Sequence, residues 1–361
     1  MSDLFLALPA SRSVIAELSA SVPANPFATL GYFESRRQTG WTSWVLVQGN
    51  TSGEVTCGCG AFMKRKGLNR KLEIPSLPAL PDDTSFWVDL RAFCRRHYVT
   101  KLELGTFGSP PGVRIPAVGG CPLAAKSGFG WARIHGSDQC GRRSRHCMHR
   151  TRCEWILDLD LDIDAQIDRR HKAHIKKARR AGVVVKRGWS IEAVSAHRAM
   201  IGNSMERRRA RGEEVPSVGP SGEFVALLQS GAGELYQAVS SGEVLSSGLV
   251  LRSPNAAYFH TRGTSPEGMA IGASHIVVHS IMTQLKAEGM RTFNIGGADE
   301  GSGLERFKKR FGASPAHTES ATCYLGPLWA QDANRAVELL RSDWRLLLRS
   351  LPRRVSSRSL R

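Results

Sequence analysis

The segment RTFNIGGADEGSGLERFKKRFG, residues 291–312, holds the pattern from which the fold can be read. An apolar strand at 291–295 runs into Gly296 and Gly297, then an acidic turn with Asp299 and Glu300, then a short helix at 304–311. Glycines let a backbone approach a ligand closely. The helix carries Arg306, Phe307, Lys308, Lys309 and Arg310, and its cations suit a phosphate-bearing or carbonyl-activating site. Directly before this segment stand a strand at 256–263 and an amphipathic helix at 273–289.

Working outward, residues 235–240, 243–252 and 256–263 read as three successive strands with SSGE and RSPN as tight turns. Further upstream, WILDLDL at 155–161 is a short strand with alternating acids. It precedes a helix at 164–181, DAQIDRRHKAHIKKARRA, closed by Gly182. Acids in its first turn, cations later and a terminal glycine complement the helix dipole. Ile167, Ala173, Ile175 and Ala178 give it a thin apolar stripe. A strand at 183–186, a helix at 191–211, a loop at 212–222, a helix or strand at 224–229 and a last strand at 321–325 complete an α/β order with a mixed sheet.

The first 150 residues read as a separate unit. A helix at 11–21 precedes a hairpin of strands 41–48 and 55–63 around the turn 49–54. Phe86, Leu90 and Phe93 recur at helical spacing within 84–98, and 99–107 resembles a strand. The Gly/Pro-rich stretch 108–120 is a loop candidate near a site. The basic, polar segment 135–152 marks the expected boundary. The expected organisation is a first unit of 1–150, a second of 151–327 and a basic extension of 328–361.

At 361 residues there is room for two cores, and 41% apolar content argues against wholesale disorder. No run of 18 apolar residues is present, so stable membrane insertion is not expected. The N-terminus has an acid where a secretory signal carries positive charge, which predicts a cytoplasmic address. The formal charge is +18, and residues 142–211 hold 19 Lys and Arg against 8 Asp and Glu, a local excess of 11. Such a field concentrates polyanions; an unspecialised basic surface is the alternative. The eight cysteines are expected as reduced thiols. Cys140, His146, Cys147, His149 and Cys153 crowd together but lack Cys-x-x-Cys pairs, so no metal site is expected.

This order resembles the GNAT acyltransferase fold, and more narrowly the Fem-type, FemAB-like aminoacyl-tRNA-dependent transferases that build peptidoglycan cross-bridges. Three pieces carry the likeness. Residues 155–185 match the family's acidic strand and basic helix ending in Arg-x-x-Gly-Val; the meander ends in Tyr258 and Phe259 before the long helix; residues 293–312 match its strand, glycine pair and Phe-Lys-x-x-Phe-Gly helix. The likeness covers about 150–326 and implies a degenerate first copy of the same fold, hence two tandem GNAT-like domains with mixed, largely antiparallel sheets. The long coiled-coil arm common in cross-bridge enzymes has no counterpart here.

The resemblance implies transfer of an aminoacyl group from a charged tRNA to an amine, without a cofactor. The acceptor is a peptidoglycan precursor or a small amine-bearing metabolite, as in antibiotic biosynthesis. An aminoacyl ester is already activated, so alignment and oxyanion stabilisation suffice; Gly-x-Ser-x-Gly is absent. Lys308 matches the family's Phe-Lys lysine and is the first catalytic candidate, with a solvent-facing cation as the bland alternative. Phe307 and Phe311, four apart, are expected to fix it, and Arg306 and Arg310 to meet phosphate. Asn294, Gly296 and Gly297 are substrate-contact candidates, and Asp299 or Glu300 could orient or deprotonate the amine. Tyr258, His260 and Arg262 alternate along one strand and are expected to share a face, with Tyr258 on the transferred group. His275 and His279 read as helix-face histidines. Arg169, Arg170, Lys172, Lys176, Lys177, Arg179 and Arg180 are the tRNA-contact candidates. The segment TSPEGMAIGASH lacks the full pyrophosphate-loop pattern of acyl-CoA enzymes, which favours tRNA; an acyl-CoA-dependent enzyme and a non-enzymatic RNA-binding protein remain the alternatives.

Overall fold

Strand alternation and turn residues build twelve strands into one sheet in the computed structural model, which describes residues 4–49, 55–66, 69–79, 85–109, 113–115, 147–213, 215 and 218–325. The first half comprises β1 (Leu4–Pro9), α1 (Arg12–Ser21), α2 (Leu30–Gln38), β2 (Thr42–Gly49), β3 (Val55–Lys66), β4 (Asn69–Ile74), α3 (Ser85–Arg96) and β5 (Lys101–Gly105). The second half opens with β6 (Cys147–Asp158), α4 (Ile163–Gln166), α5 (Arg169–Arg180), β7 (Val184–Arg187), α6 (Ile191–Ala210) and α7 (Ser221–Gln229). It continues with β8 (Gly233–Ser240), β9 (Glu243–Arg252), β10 (Ala256–Thr264), α8 (Pro266–Ile271), α9 (Ala273–Ala287), β11 (Thr292–Gly297), α10 (Gly303–Lys309) and β12 (Ser314–Tyr324).

The halves repeat one plan: an antiparallel meander, a crossover helix and a parallel strand. β2, β3 and β4 lead through α3 to β5, and β8, β9 and β10 lead through α9 to β11. Parallel neighbours require such a crossover. The halves then exchange strands. β6, which follows β5, pairs with β11, whereas β12, which follows β11 and α10, pairs with β5 and β6. The sheet is therefore continuous, in the order β1-β2-β3-β4-β5-β12-β6-β11-β10-β9-β8-β7. A shared core adds to this link: Phe27, Tyr32 and Phe33 of the first half pack with Val194, Ile201, Phe224 and Leu227 of the second.

The two parallel pairs end differently. Beyond Ile74 and Leu104 the first stays zipped, by a Ser76–Thr106 bridge and by Phe107 N–H on the Pro75 carbonyl at 3.1 Å. In the second, pairing stops at Tyr258 and Asn294, and the two strands part into a fork.

Several sequence expectations shift. The helix expected at 164–181 is two pieces, because Ile167 is buried and Asp168 caps the start of α5 by accepting from Arg170 N–H at 2.8 Å. His171 replaces Ala173 in the buried stripe, since Ala173 is exposed. Residues 147–152, expected in a polar junction, belong to β6, where long-range pairing with β12 outweighs their polarity. β12 begins at Ser314 for the same reason. Cys323 is disulfide-bonded and has Cys147 as its register partner, against the expectation of eight reduced thiols; Cys59, Cys94 and Cys153 form no disulfide. The extension 328–361, Cys140, His146 and most of the loop 108–120 lie outside the described residues.

Helix α6 lies directly on β10 because Gly263 has no side chain: a Cβ there would sit 2.1 Å from the Met200 carbonyl carbon. Gly263→Ala is expected to lower stability by about 1–3 kcal/mol through overpacking, read from the urea midpoint; an unchanged midpoint would show that α6 can move away at no cost.

Candidate active site

Lys308 is buried, with 1% of its surface exposed, so the solvent-facing alternative does not hold. Its Nζ donates to the carbonyls of Gly296 at 2.5 Å and Gly297 at 2.7 Å, at the mouth of the fork. Burial, and secondarily the charge of Arg262, pulls its pKa down to about 7. Gly296 sits at φ +80°, a conformation that suits glycine and turns its carbonyl toward the amine. Phe307 and Phe311 contact each other at 5.1 Å, and His171 holds the Phe307 carbonyl at 2.9 Å, which anchors α10 to α5. Lys309 is exposed and paired with Glu305 at 2.7 Å.

On the sheet face opposite α9, β6, β10 and β11 bring three polar side chains together. Glu154, buried on β6, accepts from Asn294 Nδ2 at 2.6 Å and, at a longer 3.4 Å, from the Tyr258 hydroxyl. Asn294 Oδ1 in turn accepts from the Gly296 N–H at 2.7 Å. Burial raises the Glu154 pKa against the lowering effects of its Asn294 hydrogen bond and of Lys308. The Tyr258 hydroxyl is pushed up by burial and by the neighbouring Glu154 charge. Glu154 is the residue that sequence reasoning missed. Its only local signal is an acid just before WILDLDL, in period-two step with Asp158 and Asp160, which are exposed where Glu154 is buried.

Tyr258 and His260 line a pocket of about 490 Å³ between the halves. Arg36 and Glu73 come to it from the first half, and Arg150, Arg152 and Glu223 from the second. Charged groups of both signs face this space.

Other expected site residues are placed differently. Asp299 and Glu300 are exposed on the turn before α10, and Arg306 is exposed with its guanidinium on the Gly301 carbonyl at 2.8 Å. Arg310 is half-buried, with its carbonyl accepting from Asp168 N–H at 2.8 Å. Tyr258, His260 and Arg262 do not share a face. A bulge between Phe259 and Thr261 leaves His260 without a register partner, so Arg262 lies over the Phe259 and Phe307 rings, at 5.6 and 5.2 Å. His275 stacks on His174 at 4.4 Å, and His279 pairs with Asp164 at 3.5 Å. Among the described residues no group of three or more His, Cys, Asp or Glu is placed to hold a metal ion.

All seven α5 cations are exposed: Arg169, Arg170, Lys172, Lys176, Lys177, Arg179 and Arg180. Lys177 donates to the Ala270 carbonyl at 2.8 Å. Arg169, Lys172, Lys176 and Arg180 follow helical spacing opposite the buried His171, Ile175 and Ala178. The segment before α9 is itself helical, as α8, and a Cβ on Gly272 would come within 2.7 Å of the His174 carbonyl. The start of α9 is thus packed against α5.

Residues 168–309 match the family model described as acetyltransferase (GNAT) domain. A crystal structure of FemX superposes with a TM-score of 0.56 at 15% identity, covering 87% of this chain and 96% of that one. The chain has a Fem-like GNAT fold. A tandem GNAT protein from the clavulanic acid biosynthesis pathway gives a TM-score of 0.52 at 16% identity, covering 90% of this chain and 99% of that chain. A conserved protein of unknown function from Bacteroides thetaiotaomicron gives 0.52 at 9% identity, covering 89% and 100%. No curated protein matches the sequence. Within this GNAT fold, Lys308 and the Glu154 network occupy the place where the central strands part. Among the described residues no helix is long and apolar enough to cross a membrane.

Proposed function

We propose that this GNAT-fold chain is an acyltransferase that moves an aminoacyl group from a charged tRNA to an amine held in the pocket between its halves. The observation that carries this reading is the buried chain of groups from fork to pocket: Lys308 on the glycine carbonyls, Gly296 N–H on Asn294, and Asn294 with Tyr258 on Glu154. The neutral amine attacks the ester carbonyl, forming the C–N bond. The bond to the ribose oxygen then breaks, and that oxygen leaves as a hydroxyl by taking up the proton that the amine has given to Glu154. Glu154, its pKa raised by burial, accepts the proton that the amine loses. Lys308 supplies positive charge beside the developing oxyanion, held in place before the reaction by two carbonyls. Phe307 and Phe311 keep α10, and with it Lys308, in register.

The donor assignment is supported by the outward cations of α5, which the His171–Phe307 bond couples to α10. The packing of α5 over the start of α9 disfavours a pyrophosphate there. The description of the matched family model favours the second reading, an acyl-CoA-dependent N-acyltransferase. The acceptor is a small amine-bearing metabolite or a peptidoglycan precursor, encountered in the cytoplasm. The catalytic unit is 151–327, with 1–150 as the degenerate copy and 328–361 as a basic extension.

Charged tRNA carrying a labelled amino acid should yield an amide with an acceptor amine, whereas full turnover with acyl-CoA and no tRNA would overturn the donor. Neutralising Lys172, Lys176 and Arg180 together by Gln should reduce the slope of log affinity against log salt by about 2–3, roughly one per lost phosphate contact. An unchanged slope would remove α5 from the tRNA surface, and binding without any product would favour an RNA-binding protein.

A further inference from the structure

We propose that His197 is a positioning residue that holds the β10 bulge and so sets the opening of the fork. The proposal rests on the acyl-transfer reading for its kinetic consequence and on geometry alone for its structural one. His197 is buried in α6, with 1% of its surface exposed. Its Nε2 meets Thr261 Oγ1 at 2.9 Å, and its Nδ1 meets Ser247 Oγ at 2.9 Å. Ser247 Oγ also accepts from Gln237 Nε2 at 3.2 Å, and that amide donates to the Ala193 carbonyl at 3.0 Å. One imidazole thus ties β9 and β10 to a single helix, and Gln237 joins β8 to the same helix and to Ser247.

Its place along β10 gives this tie its consequence. Upstream, Tyr258 pairs with Leu251 and Phe259 with Val250; downstream, Thr261 pairs with Leu249. The extra residue is His260, which lines the pocket. Without the bulge, strict alternation would put His260 and Arg262 on the Tyr258 face and turn Thr261 away from α6, because a one-residue slip moves every following side chain across the sheet. The bulged register keeps Thr261 on His197 and Arg262 over Phe307, beside Lys308. Gly263 against Met200, and Thr264 N–H on Ser204 Oγ at 3.2 Å, continue the same seam. Burial pushes the His197 pKa down to about 4, so the ring is neutral at physiological pH and has one donor and one acceptor for its two hydroxyl partners.

Two variants test this, His197→Phe and the smaller Thr261→Val, which removes only the hydroxyl. Hydrogen exchange over residues 258–264 should accelerate about tenfold in each, as one lost buried hydrogen bond implies, with β2 and β3 protected as in the parent. This readout needs no knowledge of the reaction. Once product formation is established, kcat should fall about 10- to 100-fold, as for displaced reacting groups, with the KM for donor unchanged; His197→Gln, which can still donate and accept, should restore most of it. A double variant no worse than either single variant would tie both residues to one function. Parent-like exchange at 258–264 in Thr261→Val overturns the proposal even if His197→Phe fails to fold. Accelerated exchange with unchanged kcat retains the anchor and rejects its role at the fork. Parent-like exchange together with an inactive parent would defeat both readings separately.

Discussion

Replacing Lys308 with Met is expected to lower kcat about 100-fold or more, the usual cost of removing a positioned electrostatic donor, while Lys309→Met leaves turnover unchanged. The contrast is sharp because the neighbours differ so much: Lys308 is buried on two carbonyls, and Lys309 is exposed against Glu305. Comparable turnover in both variants and the parent would refute the role. Proton linkage adds a second check. With a folded pKa of about 7 against 10.5 for an ordinary lysine, the unfolded chain holds the extra proton between those values, so this residue makes stability rise with pH across that window. Below about 7 the cost of the buried charge is fully present. Relative to the parent, Lys308→Met should therefore gain more in melting temperature at pH 6 than at pH 10. If the charged amine is the active form, parent kcat carries a limb that descends as pH rises through about 7, and the variant lacks it.

Glu154→Gln is expected to lose about 100-fold or more in kcat, the range for removal of a general base, with no loss of melting temperature at pH 7. The amide can keep both contacts, with its oxygen toward Asn294 and its nitrogen toward a Tyr258 hydroxyl turned to accept. Burial raises the carboxyl pKa in the folded state, so the folded chain binds the extra proton between the ordinary value of 4.5 and the raised one. This contribution falls as pH rises through that window, and the cost stays in force above it. The neutral isostere removes the cost. A carboxylate with a purely structural role would behave in the opposite way, with parent-like kcat and a lower melting temperature.

The meander at 233–264, helix α9 and the Phe-Lys-x-x-Phe-Gly turn of α10 were legible because each is encoded within a few residues, by period-2 alternation, 3.6-residue spacing or turn chemistry. The dipole-matched charges of α5 were readable for the same reason, although Asp168 and Ile167 break the helix where periodicity predicted continuity. β1, α2 and β4 escaped reading. They are short or weakly patterned and take their stability from neighbours: β1 from β2, α2 from α7, β4 from both β3 and β5.

The sequence by itself determined the locally patterned elements, their mixed α/β order and the lysine that a Phe-Lys motif singles out. Only the tertiary structure decided that this lysine is buried on the glycine carbonyls and that its pKa falls. It also decided that β10 bulges at His260, and that the acid beside the fork is Glu154 instead of Asp299 or Glu300. The physical reason is range. A periodic pattern is set by residues three or four apart, whereas Glu154 meets Tyr258 across 104 residues and Asn294 across 140. Those meetings depend on strand register and on β6 and β12 crossing between halves, which no local propensity encodes.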